Sequence, residues 1–206
     1  MDITILFSFI GATALLSISP GPDNIYVLIQ SITNGVKYGF ATVLGLISGC
    51  IVHTTLVAFG ASAIIKANDN LYLILKVFGA SYLVFLAYKV FKSDINISME
   101  TNAPKKSFSQ LFRQGFIMNL LNPKVSIFFL ALFPGFLFSQ SLSTVNQFFI
   151  LGFVFMAVSL VIFSLIAILA GSISNYMIKN SKVGTFLKWL QIIVFIGIAV
   201  FILFSD

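Results

Sequence analysis

Six stretches of this sequence, at roughly 3–18, 40–65, 71–91, 115–138, 147–170 and 186–204, stay apolar over lengths that a soluble fold has no use for. About 20 apolar residues cross a bilayer as a helix, so the stretches are read as membrane-spanning helices. Charged residues make up 9% of the chain, against about 25% in a soluble domain that must solvate its surface. Twelve basic and six acidic residues cannot cover a water-facing globule of 206 residues. The 24 phenylalanines and a mean hydropathy of +1.05 fit lipid-facing helices better than a soluble core of this size. An all-α polytopic membrane protein is expected, with almost nothing outside the bilayer.

The net charge of +6 is not a nucleic-acid signal in such a chain, because basic residues of membrane proteins gather in cytoplasmic loops. One cysteine, Cys50, excludes an intramolecular disulfide, a CxxC pair and a cysteine-based metal site. It is expected as a small apolar residue at a helix contact. The N-terminus lacks the pattern of a cleaved leader: Asp2 stands where basic residues belong, and no small-x-small site follows. Residues 3–18 are read as a retained first span.

Two spans are abnormal. The uncharged run from Ile3 is interrupted by Pro20-Gly21-Pro22-Asp23 and resumes as Ile25–Ile32, too long for one straight span and too short for two. The fourth stretch carries Asn122-Pro123-Lys124 within apolar sequence. Proline removes a backbone donor and clashes with the preceding turn, so both helices are expected to break, at 19–23 and at 122–124.

Charge placement gives the topology. Lys37 follows the first span; Lys89, Lys92, Lys105, Lys106 and Arg113 surround the loop after the third; Lys179, Lys182 and Lys188 follow the fifth. The opposite side holds only Lys66 and Lys76. The positive-inside rule then places both termini on the non-cytoplasmic side. The one sizeable polar segment, 93–106, becomes a cytoplasmic linker whose Asp94 and Glu100 are solvated. It divides a single transmembrane domain into repeat 1, residues 1–92, and repeat 2, residues 107–206. Each half reads as a proline-broken helix, a helix with glycine or other small residues, and a helix entered through lysine and an aromatic, Leu75-Lys76-Val77-Phe78 and Leu187-Lys188-Trp189-Leu190. Three spans per half is an odd number, so the second half enters from the other side. An inverted 3+3 repeat with one discontinuous helix in each half is the pattern of a secondary transporter.

Breaking a helix inside the bilayer exposes N–H groups with partial positive charge, which bind a carboxylate without a basic side chain. Ser19-Pro20-Gly21-Pro22-Asp23-Asn24 offers a capping residue, early prolines and a glycine that admits a ligand to the backbone, and Asn122-Pro123 offers an N-cap with proline behind it. Two such ends meeting would form a site for a small zwitterion. Asp23 has two readings that one residue can combine: a membrane carboxylate that attracts an ammonium or carries a proton, or a cap on the half-helix. His53, the only histidine, is either a proton carrier that changes charge near neutral pH or a neutral ring bonded to a neighbouring carbonyl. Gly35, Gly39, Gly45 and Gly49 are expected at close helix packing. Lys124 either holds a carboxylate, pairs with Asp23 or snorkels to an interface. Asn119, Asn122, Gln30 and Ser31 are substrate contacts or interhelical hydrogen bonds, and Trp189 and Tyr176 suit an aromatic belt.

At these residues the sequence resembles the LysE/RhtB family of amino-acid exporters. Ser-Pro-Gly-Pro-Asp-Asn at 19–24 is similar to that family's N-terminal signature, and Gly35, Gly39, Gly45, Gly49 and His53 fall on its glycine-studded second helix. Residues 75–83, Leu-Lys-Val-Phe-Gly-Ala-Ser-Tyr-Leu, are similar to its third-helix motif. Phe112-Arg113-Gln114-Gly115-Phe116 through Asn119-Leu120-Leu121-Asn122-Pro123-Lys124 resembles its second-half signature. Gly135 departs from the glutamine that many members carry there. The resemblance implies export of amino acids or close derivatives from the bacterial cytoplasm across the inner membrane, coupled to the proton-motive force, with the homoserine/threonine-type branch most similar. It implies no cofactor, no nucleic-acid partner and a small-molecule substrate; the small-residue faces permit a homodimer without requiring one.

Two rivals are weaker. A metal-ion transporter would have to work with one histidine, one embedded acid and one cysteine, a poor ligand set. A membrane redox or acyl-transfer enzyme would lack both a cysteine pair and a catalytic dyad, and no phosphate-binding glycine loop is present.

Overall fold

The computed structural model describes residues 2–67, 69–92, 106–173 and 181–204, which leaves most of the polar linker, with Asp94, Glu100 and Lys105, and also Tyr176 and Lys179, outside the described residues. Most of those residues are helical, with no strand among them. The chain is an all-α polytopic membrane protein.

The first span is two helices, α1 (Ile3–Ile18) and α2 (Pro22–Asn34), bent by 59° across the break. Pro22 occupies the first turn of α2, where its missing N–H costs nothing. Asp2 caps α1 by accepting from the Thr4 amide at 2.9 Å. Gly35 joins α2 to α3 (Val36–Leu56) at φ 99°, the only positive φ among the described residues. A side chain is strained there, which is why glycine fits. The α3 helix runs on through a π-helical turn, Val57–Ala61, into α4 (Ser62–Ala67). Helix α5 spans Asp69–Lys92; at about 1.5 Å per residue its 24 residues exceed the hydrocarbon thickness.

A second bent pair repeats the broken plan. Helix α6 (Phe108–Leu120) opens on a capping box in which Ser107 accepts from the Gln110 amide and Gln110 accepts from the Ser107 amide. After Leu121, Asn122 caps α7 (Pro123–Ile127), which continues as a π-helical turn, Phe128–Leu132, and a 3-10 turn, Phe133–Phe136. The two parts are bent by 49°. Helices α8 (Thr144–Ile168) and α9 (Ser181–Phe204) complete the bundle. By length and composition, three helical stretches among the described residues can cross a membrane, and five can when each bent pair counts as one span.

The bundle crosses itself between halves. Helix α3 packs along α6, α8 along α1, and α5 along α9. The tightest crossing is α3 on α6, because glycine faces backbone on both sides. A methyl at Gly45 would fall on the backbone of Phe112 and Phe116, and one at Gly115 on the Thr42 carbonyl. Gly49 lies against the Asn119 side chain, and Gly39 against Ser31 and Ala167. Gly35 corrects the packing expectation: nothing lies within 4 Å of its added Cβ, and its role is the turn.

Phenylalanines fall into two populations. Phe9, Phe128, Phe129, Phe133 and Phe148 are fully buried in a cluster beside the breaks, with Phe129 stacked on Phe133 at 4.3 Å and Phe9 edge-on to Phe133 at 5.1 Å. Phe7, Phe153, Phe186 and Phe204 are exposed, as lipid-facing rings should be. The ends of the bundle also sort themselves. The Asp2 amide donates to the Phe138 carbonyl, so the start of α1 and the 137–143 loop share one end. At another point Lys188 lies over the Phe91 ring and Phe91 meets Trp189 edge-on, which joins the end of α5 to the start of α9.

Candidate functional site

The two breaks meet. Asn122 caps α7 by accepting from the Lys124 amide at 3.0 Å, and its Nδ2 donates at 2.8 Å to Oδ2 of Asp23, in the first turn of α2. One residue thus caps its own half-helix and grips the acid of the other half. Asp23 is buried, and its Oδ1 has no hydrogen-bond partner. The hydroxyl of Ser19, also buried, has none either. A buried carboxylate with one oxygen lacking a hydrogen-bond partner is costly to keep.

The opposite end of the break is negative in character. Helix α1 stops at Ile18, so its last carbonyls have no intrahelical donor. Lys124 Nζ donates to the Leu16 and Ser19 carbonyls at 3.2 and 3.0 Å, and Asn24 Nδ2 donates to the Ser17 carbonyl at 2.7 Å. The ammonium sits 5.6 Å from the Phe195 ring centre and faces Gly21, whose added Cβ would come within 3.6 Å of it. A cation belongs at a helix C-terminus. Lys124 holds backbone carbonyls, and the Asp23 carboxylate is the opposite charge that acts on it. The pairing with Asp23 read from the sequence thus has a counterpart in the structure, while no snorkelling is seen.

His53 Nε2 lies 3.2 Å from the Asn119 carbonyl, at the end of α6, and the ring is buried 5.5 Å from that of Phe129. The bond requires the tautomer protonated on Nε2. His53 therefore ties α6 to α3 through a neighbouring carbonyl. Asn119 turns its amide toward Cys50 Sγ, with Oδ1 at 3.8 Å and Nδ2 at 3.6 Å. Cys50 is at a helix contact, as expected, and also lines a cavity. Gln30 and Ser31 differ from expectation: Gln30 accepts from Asn34 and Ser31 donates to the Val27 carbonyl, both within α2. Four residues of helix separate the partners in each pair, so no neighbour is needed.

A small cavity lies between the halves, lined by Leu16, Ser17, Asp23, Asn24, Cys50 and Asn119, and beyond them by Lys124, Val125, Phe155, Ser159 and Phe163. Its volume is about 20 Å³, room for roughly one water molecule. Sequence reasoning named Asp23, Asn24, Asn119 and Lys124, and it missed Ser17, Ser159, Phe155 and Phe163. Serine within an apolar span is the only local sign of the first two. Pro20, Gly21, Pro22 and Pro123 shape the breaks rather than the cavity wall. No group of three or more His, Cys, Asp or Glu among the described residues is placed to hold a metal ion.

The LysE type translocator family matches residues 14–206, which include every residue that lines the cavity. The chain belongs to that family. It is a membrane translocator and not an enzyme. It is 33% identical over 176 residues to a homoserine/homoserine lactone efflux protein of Salmonella typhimurium, covering 85% of this chain and 84% of that one. The corresponding protein of Salmonella typhi is 32% identical over the same shares. An uncharacterized membrane protein of Vibrio cholerae is 25% identical over 96% of this chain and 95% of its own. No solved structure matches.

Proposed function

We propose that this translocator exports amino acids or close derivatives, homoserine- and threonine-like solutes foremost, from the cytoplasm across the bacterial inner membrane, driven by the proton-motive force. The observation that carries the reading is Asp23: a buried carboxylate held on one oxygen by the other half and free on the second. A zwitterion answers both ends of the break. Its ammonium suits Asp23 Oδ1 and the terminal carbonyls of α1, and its carboxylate suits the first-turn N–H groups of α2, with Lys124 in reach once it leaves those carbonyls. The efflux proteins that resemble this chain are named for a neutral hydroxyl-bearing amino acid and its lactone.

The cavity is far smaller than the about 300 Å³ at which ligand pockets begin, so substrate enters only when the halves part. We take the two halves as an inverted repeat that rocks about this site. The equivalent bends, the equivalent prolines and the reciprocal packing of α3 on α6 and α8 on α1 support that arrangement. The basic ends face the cytoplasm and both termini face away from it. Proton coupling is assigned to Asp23, whose second carboxylate oxygen has no hydrogen-bond partner and lies at the break itself.

Asp23→Asn tests the assignment. The amide keeps size and can still bond Asn122, so a folded protein that no longer exports is expected. Normal export by the folded variant at every external pH would sink the role of Asp23.

A further inference from the structure

We propose that Ser17 and Ser159 form the element that reads the substrate's side chain, selecting solutes with a side-chain hydroxyl over their apolar isosteres. The inference rests on the cavity being the amino-acid site and names what sets its selectivity.

Serine and threonine in membrane helices commonly return their hydroxyls to the carbonyl four residues back. This chain does so at Ser31 to Val27, Ser48 to Leu44, Thr54 to Cys50 and Thr55 to Ile51. Ser17 and Ser159 do not. Their hydroxyls bond each other at 2.9 Å across α1 and α8, one from each half of the chain, and both side chains are buried. Both also stand in the cavity wall.

Two hydroxyls carry two donors and four lone pairs. Their mutual bond consumes one donor and one lone pair, which leaves one O–H and three lone pairs for a ligand. Most of the other polar groups of the wall already hold partners, Cys50 on the Leu46 carbonyl among them. Lys124 and Asn24 hold the end of α1, and Asn119 lies between Gly49 and Cys50. Asp23 keeps an oxygen for an ammonium. Leu16, Val125, Phe155 and Phe163 complete the wall and have no polar side-chain atom to offer. A substrate hydroxyl entering this space finds the serine pair.

The pair also limits how strict the selection can be. A site whose buried donors are orphaned by the wrong substrate rejects it by 10⁴-fold or more. Here an apolar isostere leaves the serines bonded to each other, so the discrimination expected is about tenfold, the worth of one net hydrogen bond.

The test is competition for transport by the full chain reconstituted in liposomes, with threonine against valine and homoserine against norvaline. The wild type is expected to favour the hydroxyl member of each pair about tenfold, and Ser159→Ala and Ser17→Ala to bring the ratio toward one. Both variants cutting the hydroxyl and apolar members in parallel, so that the ratio holds, would make the pair a structural bond and overturn the inference. A wild type that moves both members equally also overturns it and leaves the amino-acid reading standing. A reconstituted wild type that moves no amino acid removes that reading, and this inference with it.

Discussion

Gly45→Ala adds one methyl at the crossing of α3 and α6, and the structure says what that methyl meets. Its position coincides with the carbonyl of Phe112 and crowds the Phe116 amide, which are backbone atoms of α6 and cannot rotate away. Overpacking a well-packed contact costs about 1–3 kcal/mol, and a rigid backbone on the far side puts this site at the top of that range. Helix propensity returns about 1 kcal/mol for glycine to alanine. The net loss expected is about 2 kcal/mol, or some 4–8 °C in unfolding midpoint on the calibration for soluble domains of this length. Gly115→Ala meets the Thr42 carbonyl and should cost a similar amount. Gly11→Ala and Gly197→Ala have nothing within 4 Å and should be neutral or slightly stabilising. Thermal unfolding of the four purified variants in one detergent ranks them. Gly45→Ala as stable as Gly11→Ala would refute the argument that α3 and α6 touch through glycine. The crossing also carries His53 and Asn119, so export should fall with stability.

Lys124→Met removes the donor from the Leu16 and Ser19 carbonyls; a loss of about 1–3 kcal/mol is expected from acceptors left unpaired, together with faster maleimide labelling of buried Cys50, read by mass spectrometry. His53→Gln keeps a donor for the Asn119 carbonyl and should retain most export with an unchanged pH profile, whereas His53→Ala should lose stability; transport assays from about pH 6 to 8 around the imidazole range check both. Gln147→Ala strips partners from the Phe138 and Ser139 amides and the Ser139 and Leu142 carbonyls, and should cost about 2–4 kcal/mol, read as a lowered unfolding midpoint and as proteolysis in the 137–142 loop.

Much of the fold could be read in the sequence because its determinants are local. Apolar length marks the spans, and proline with a capping residue marks the breaks at 19–23 and 122–124, where the structure bends. Gly45 and Gly49 could be read as contact residues from their spacing alone. Gly35 was misplaced because a turn glycine and a packing glycine look alike until φ is known. Gln30 and Ser31 bond within their own helix, which a polar residue near a break does not announce. The ends to which Lys124 and Asn24 reach could not be read at all. Both answer carbonyls at the end of α1, and one of them comes from 105 residues away along the chain. The Ser17–Ser159 bond was out of reach for the same reason, since it exists only once α1 lies on α8.

The most direct test of the central claim loads cells with radiolabelled dipeptides, as a source of high internal amino acids, and follows efflux with and without this protein and its Asp23→Asn variant. The account predicts faster efflux of a neutral hydroxyl-bearing amino acid with the wild type, abolished by a protonophore and lost in the variant. Efflux of every amino acid tried at the rate of cells lacking the protein, with the wild type verified in the membrane, would contradict it.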